Sequence, residues 1–198
     1  MTRRSALFGG SFDPVHNAHV ALAQAALVEL QLDEVRWIPA GLPWQKDRVI
    51  SAAEQRAAMV QLAIAHEPRF LLDRIEIDRA GTSFTLDTVR ALAAAHPDTQ
   101  WFLLIGQDQY ANLHTWRDWQ SLLGLVTLAV ANRPGQRAAP HPQVQAFAHR
   151  MVPLPMLDIS STDIRRRASA GADISPLVPP PVARYIETHR LYPGTPRS

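Results

Sequence analysis

A three-layer α/β fold built on a parallel sheet is what this sequence predicts, and three observations predict it. Short apolar runs recur along the chain, stretches with helical spacing lie between them, and glycines punctuate the ends of key runs. Ala6-Leu7-Phe8 is the first run, stopped by Gly9-Gly10. From Asn17 to Leu32 apolar residues return at helical spacing, at Val20, Ala23, Leu27 and Leu30. Val35 to Ile38 makes a second run, closed by Pro39. Two buried strands around one helix imply a parallel pair joined by a right-handed crossover.

The alternation continues. Ser51-Ala52-Ala53-Glu54 has the capping-box pattern and predicts a helix to about His66. Phe70 to Ile77 reads as a strand, and Thr85 to Ala95 as a helix ended by Pro97. Trp101 to Ile105 reads as a buried strand stopped at Gly106, and Leu125 to Ala131 as a further strand. Arg133 to Pro142, with three prolines and a glycine, is a loop. Ser160-Ser161 caps a helix through Ala168, and Pro180 to His189 forms the last one.

The chain has 198 residues, 46% hydrophobic and 19% charged. That length predicts one domain over residues 1–198, burying about 70% of the unfolded surface. Zero cysteines exclude a disulfide scaffold, a thiolate zinc site and cysteine nucleophilic catalysis. No run of 18 apolar residues exists and no signal-peptide pattern opens the chain, so a cytoplasmic protein is expected, with no membrane partner. Twenty basic residues face 18 acidic ones, with no long basic block, which argues against a nucleic-acid partner. Lys46 is the only lysine.

The residues richest in chemistry run from Gly9 to His19, Gly-Gly-Ser-Phe-Asp-Pro-Val-His-Asn-Ala-His. They sit where a strand ends and a helix begins, the place where open α/β sheets bind ligands. Glycines let a ligand approach the backbone, and the amides at a helix start favour an anion. His16 and His19, three apart, project from one side of a helix. Two imidazoles beside exposed amides suit a polyphosphate. The string matches neither G-x-x-x-x-G-K-[ST] nor G-x-G-x-x-G, and H-x-x-H lacks the glutamate of a zinc hydrolase.

A second stretch runs from Ile159 to Arg167, Ile-Ser-Ser-Thr-Asp-Ile-Arg-Arg-Arg. Residues i and i+4 share a helix face, so Arg165 lies above Ser161 at the anion-favouring helix start. Arg166 and Arg167 point elsewhere, toward solvent.

Gly9–His19 together with Ser160–Arg165 resembles the adenylyl- and cytidylyltransferase superfamily, with its (H/T)xGH signature and its SSTxIR motif. Here the signature reads His16-Asn17-Ala18-His19, with alanine where many members carry glycine. Lys46, the run Thr82–Thr88, Ile105-Gly106-Gln107-Asp108, Thr115-Trp116, Arg133-Pro134-Gly135 and the ending Tyr185-Ile186 with Leu191-Tyr192 resemble the bacterial nicotinate-nucleotide adenylyltransferase family in particular. The resemblance spans essentially the whole chain, in order.

It implies a Rossmann-like α/β/α nucleotidyltransferase that joins ATP to nicotinate mononucleotide, with magnesium, giving nicotinate adenine dinucleotide and pyrophosphate. By resemblance, His16, His19, Lys46 and Arg165 are the catalytic set, the histidines on the ATP phosphates and the cations on the departing pyrophosphate. Gly9, Gly10, Ser11 and Phe12 would supply backbone contacts to ATP, Gly106 and Asp108 would hold its adenosine, and Ser161 would cap the phosphate end. Thr85, Trp116 and Arg133 would belong to the mononucleotide, with Trp116 stacked on the pyridine. Read alone, Trp116 and Trp119 fit a core-facing helical pair. The family's Pro-Pro-His-Lys is here Pro43-Trp44-Gln45-Lys46, which leaves loop contacts open. Transfer to nicotinamide mononucleotide or phosphopantetheine, and a nucleotide sensor without turnover, are the competing readings.

Overall fold

The computed structural model describes residues 2–43, 50–132, 140–154 and 157–193. The first half of the chain forms β1 (Arg3–Gly10), α1 (Asn17–Glu29), β2 (Glu34–Pro39), β3 (Leu42–Pro43), α2 (Ala53–Ile64), β4 (Phe70–Leu72), β5 (Thr82–Ser83) and α3 (Thr85–Ala95). The second half adds β6 (Thr99–Ile105), α4 (Gln107–Asn112), a 3₁₀ turn at Leu113–Thr115, α5 (Trp119–Leu123), β7 (Thr127–Asn132), α6 (Pro142–Gln145), β8 (His149–Pro153), α7 (Ser161–Ser169) and α8 (Pro180–Thr188).

Six strands pair in the order β4-β2-β1-β6-β7-β8, every neighbour parallel. The chain therefore winds outward from β1 in one direction, then returns to the other side of β1 and winds outward again. That reversal leaves a crevice beyond the carboxyl ends of β1 and β6, where helices on opposite faces diverge.

Strand alternation sorts the apolar side chains between two cores. Ala6, Phe8, Val35, Trp37, Phe102, Leu104, Ala129 and Ala131 face the layer holding α1, α2, α7 and α8. Leu7, Ile38, Leu103, Ile105, Leu128 and Val130 face the layer holding α3 and α5. Both faces being covered is what makes these strands read as continuous apolar runs. The expected three layers are present.

Several boundaries differ from expectation. α1 stops at Glu29 because Gln31 takes a left-handed backbone, φ 49°, and the amide of Leu32 turns back to the carbonyl of Leu27 at 3.0 Å. The capping box does not form: α2 starts at Ala53 behind Ala52, which gives no side-chain cap. Glu54 instead accepts two hydrogen bonds from Arg74, at 3.0 and 2.7 Å. The strand expected through Ile77 ends at Leu72, where the Asp73 carboxylate accepts from the amide of Ile75 and turns the chain. The loop ends earlier than Pro142, which opens α6 at a position suited to proline; residues 133–139 lie outside the described residues.

Candidate active site

The crevice at the reversal point is a cleft of about 510 Å³. Its floor is the carboxyl ends of β1 and β6, and its rim carries Gly9 to Phe12, His16, His19, Gly106, Asp108, Thr85, Trp116 and Ser161. Eleven expected site residues thus line one cavity. Arg165 stands behind the rim, and Lys46 and Arg133 lie outside the described residues.

The turn after β1 is held from several sides. Phe12 adopts a left-handed φ of 47°, unfavourable for a bulky residue, yet its ring is fully buried. Burial of such a side chain returns about 2–3 kcal/mol, enough to offset that strain. The ring packs edge-on against Phe8 (5.4 Å) and against His19 (5.2 Å). A side chain on Gly10 would come within 3.1 Å of the Phe12 ring, so glycine there lets the aromatic fold under the turn.

His16 immediately precedes α1, and His19 lies in its first turn. Their rings stack at 3.6 Å, and the His16 amide donates to His19 Nδ1 at 3.2 Å. An Nδ1 that accepts a hydrogen bond leaves the neutral ring's N–H on Nε2. His19 is accordingly oriented as a donor through Nε2.

The late helix α7 packs against the turn after β1. Ser160 caps it, accepting from the amide of Asp163 at 3.2 Å. Ser161 Oγ donates to the Pro14 carbonyl at 3.0 Å. Arg165 Nη1 donates to the Asp13 carbonyl at 2.7 Å, and Nη2 to Thr162 Oγ1 at 3.1 Å. Arg166 and Arg167 are exposed and both pair with Asp163, as the helix-face spacing requires. His19 and Arg165 are thereby brought to the same turn from opposite ends of the sequence.

At the other end of the cleft, Thr85 opens α3 and Trp116 lies between the 3₁₀ turn and α5. Only Trp119 is helical and buried; Trp116 has extended backbone and reaches the cleft. The core-facing helical pair is therefore not formed, because the left-handed Asp118 separates the two tryptophans.

Three further polar groups, buried Arg56 and Glu76 and half-buried Tyr192, stand at the site without belonging to the expected set. Arg56, only 1% exposed, donates to the carbonyls of Ser11 (2.9 Å), Ala40 (2.6 Å), Gly41 (3.2 Å) and Ser51 (3.0 Å). Burial pulls its pKa down, opposed first by the nearby Asp13 carboxylate. A buried ion left alone would cost several kcal/mol; charge-assisted bonds of about 1.5–3 kcal/mol each keep it in place. Tyr192 Oη donates to Oδ1 of the fully buried Asp13 at 2.7 Å, and burial with that carboxylate pushes the phenol well above its ordinary range. Glu76 lines the cleft, accepts from Thr88 Oγ1 at 2.9 Å, and has its pKa raised chiefly by burial. An arginine on a helix reads as a solvated residue, so only the fold reveals Arg56.

The cytidylyltransferase-like family model matches residues 7–167, which sets the class: a nucleotidyltransferase. A Methylibium petroleiphilum protein named "probable nicotinate-nucleotide adenylyltransferase" is 48% identical, over 96% of this chain and 92% of its own. A Bordetella pertussis protein of the same name is 47% identical, over 96% and 98%. The chain belongs to the nicotinate-nucleotide adenylyltransferase family. Its fold is shared with the Plasmodium falciparum nicotinic acid mononucleotide adenylyltransferase solved with NaAD, at TM-score 0.80 and 19% identity, covering 96% of this chain and 97% of that one.

Proposed function

We propose that this cleft binds ATP and nicotinate mononucleotide side by side and transfers AMP between them. A phosphate oxygen of the mononucleotide attacks the α-phosphorus of ATP. The bond from that phosphorus to the bridging oxygen breaks, pyrophosphate leaves, and nicotinate adenine dinucleotide remains. No protein nucleophile is required, so the site works by positioning and by stabilising charge.

The observation that carries this reading is the convergence of His16, His19 and Ser161 on one rim of the reversal-point cleft, with Arg165 beside them. His19 donates through Nε2 to the reacting phosphate, with the His16 ring stacked against it. Backbone of Gly9 to Phe12 cradles the triphosphate, and Ser161 caps its end. Arg165 holds the Asp13–Pro14 turn and sets positive charge beside the departing pyrophosphate, with Lys46 supplying a second cation. Gly106 and Asp108 face the adenosine. Thr85 and Arg133 serve the nicotinate end, and Trp116 stacks on the electron-poor pyridine.

Magnesium fits this site as an ion carried by phosphates. Among the described residues no cluster of three or more His, Asp or Glu forms a metal cage. The two exposed carboxylates of the cleft, Asp108 and Asp158, are the groups that would meet the ion's water shell. When bound, it supplies charge neutralisation on the phosphates. The chain works as one nucleotidyltransferase domain over residues 1–198, in the cytoplasm. No helix among the described residues is long and apolar enough to cross a membrane.

The test is a comparison of kcat/KM for nicotinate and nicotinamide mononucleotides with ATP and magnesium. Pyrophosphate release with the acid preferred supports the assignment. Preference for the amide, or no release with either, overturns it.

A further inference from the structure

Arg56 belongs to none of the sequence motifs, yet its guanidinium is the meeting point of three chain segments. It bonds Ser11 after β1, Ala40 and Gly41 after β2, and Ser51 before α2. Ser11 lies in the turn that cradles the triphosphate in the function proposed above. Gly41 and Ser51 are the two stems of the stretch that carries Lys46 in the sequence. All four acceptors are backbone carbonyls, so Arg56 fixes main chain to main chain.

We propose that Arg56 is a positioning residue for adenylyl transfer, which sets the phosphate-binding turn at a fixed spacing from the chain leaving β2. It touches no substrate; it acts through Ser11. Three features of the surroundings point the same way. Asp13, fully buried two residues after Ser11, lies close enough to support the guanidinium charge and is itself pinned by Tyr192. Gly41 is pressed so closely on the Glu76 carbonyl, with an added Cβ only 2.1 Å away, that the stem leaving β2 has no slack. Finally, the guanidinium geometry is essential. A planar fork of five donors can serve several carbonyls at once, whereas an ammonium is a single point with three donors.

The proposal rests on the reading of the cleft as an ATP site, and its test reads ATP binding directly. Arg56→Lys and Arg56→Met are compared with wild type by calorimetric titration of ATP with magnesium and no acceptor, by melting temperature, and by steady-state KM for each substrate. The expected result for Arg56→Lys is ATP affinity weakened about tenfold, with the mononucleotide KM changed far less, because a displacement of the order of 1 Å is felt strongly at a phosphate cradle. Amide hydrogen exchange at Ser11 and Gly41 should accelerate together in the same variant. Unchanged ATP affinity alongside a lowered melting temperature overturns the proposal, as does failure of both variants to fold, since either assigns Arg56 to stability alone. A wild-type chain that binds ATP but releases no pyrophosphate with either mononucleotide would instead overturn the proposed reaction, leaving the ATP-affinity result to judge Arg56.

Discussion

His16 and His19 stack face to face, ring centroids 3.6 Å apart and 21° from parallel, with the His16 amide bonded to His19 Nδ1. One ring thus fixes the plane of the other, while the bond at Nδ1 fixes which nitrogen carries the proton. His19→Ala is expected to lower kcat by about 10²–10³, the scale for losing a transition-state donor, with ATP affinity changed far less. Rapid-quench or steady-state pyrophosphate assays measure this. A near-wild-type rate would remove His19 from the chemistry.

Arg165→Ala should cost far more activity than Arg166→Ala or Arg167→Ala. The first loses the contact with the Asp13 carbonyl, whereas the other two are exposed partners of Asp163. Exposed pairs of that kind are screened by solvent and touch no part of the turn, so their removal leaves it in place. Equal losses across the three variants would contradict the assignment of the helix face.

Trp116→Ala is expected to raise the KM for the mononucleotide and leave that for ATP nearly unchanged. Stacking of a base on an aromatic is worth about 1–3 kcal/mol, or about five- to 150-fold in affinity. Parallel titrations with both substrates separate the two ends of the cleft, and a rise confined to ATP would place the ring at the wrong end.

Glu76 gives the stability a pH dependence of known sign. Burial raises its pKa from the usual 4.5, so the unfolded chain ionises before the folded one. Its contribution to stability is full below 4.5 and declines as pH rises through the raised folded value. Glu76→Gln lacks this titration. The melting temperature of Glu76→Gln relative to wild type should therefore climb between pH 4 and neutrality; a flat or falling difference would show that burial does not dominate at this carboxyl.

The parts of the fold legible in the sequence are those whose residues are buried on both faces or capped locally. The opening β1–α1–β2 unit, α3, and β6 follow directly from apolar runs and breakers, and the Gly9–His19 and Ser160–Arg165 motifs meet at one end of the cleft. β8 escaped because only Val152 of its five residues is buried, which leaves no pattern to read. β3 and β5 have two residues each, too few for any period. The false capping box at Ser51 shows a local signal overruled: Glu54 finds Arg74, and the Ser51 carbonyl is taken by Arg56. Tyr192 could be flagged only by resemblance, since its partner Asp13 is 179 residues away.

The opening turn is tied down from the far end of the polypeptide: Ser161 reaches Pro14, and Arg165 and Tyr192 reach Asp13. A nascent chain emerging from the ribosome can pair β1 with β2 early, but it has no finished pocket until its last helices arrive. A chain cut short before Ser161 would lack all three of these ties to its opening turn.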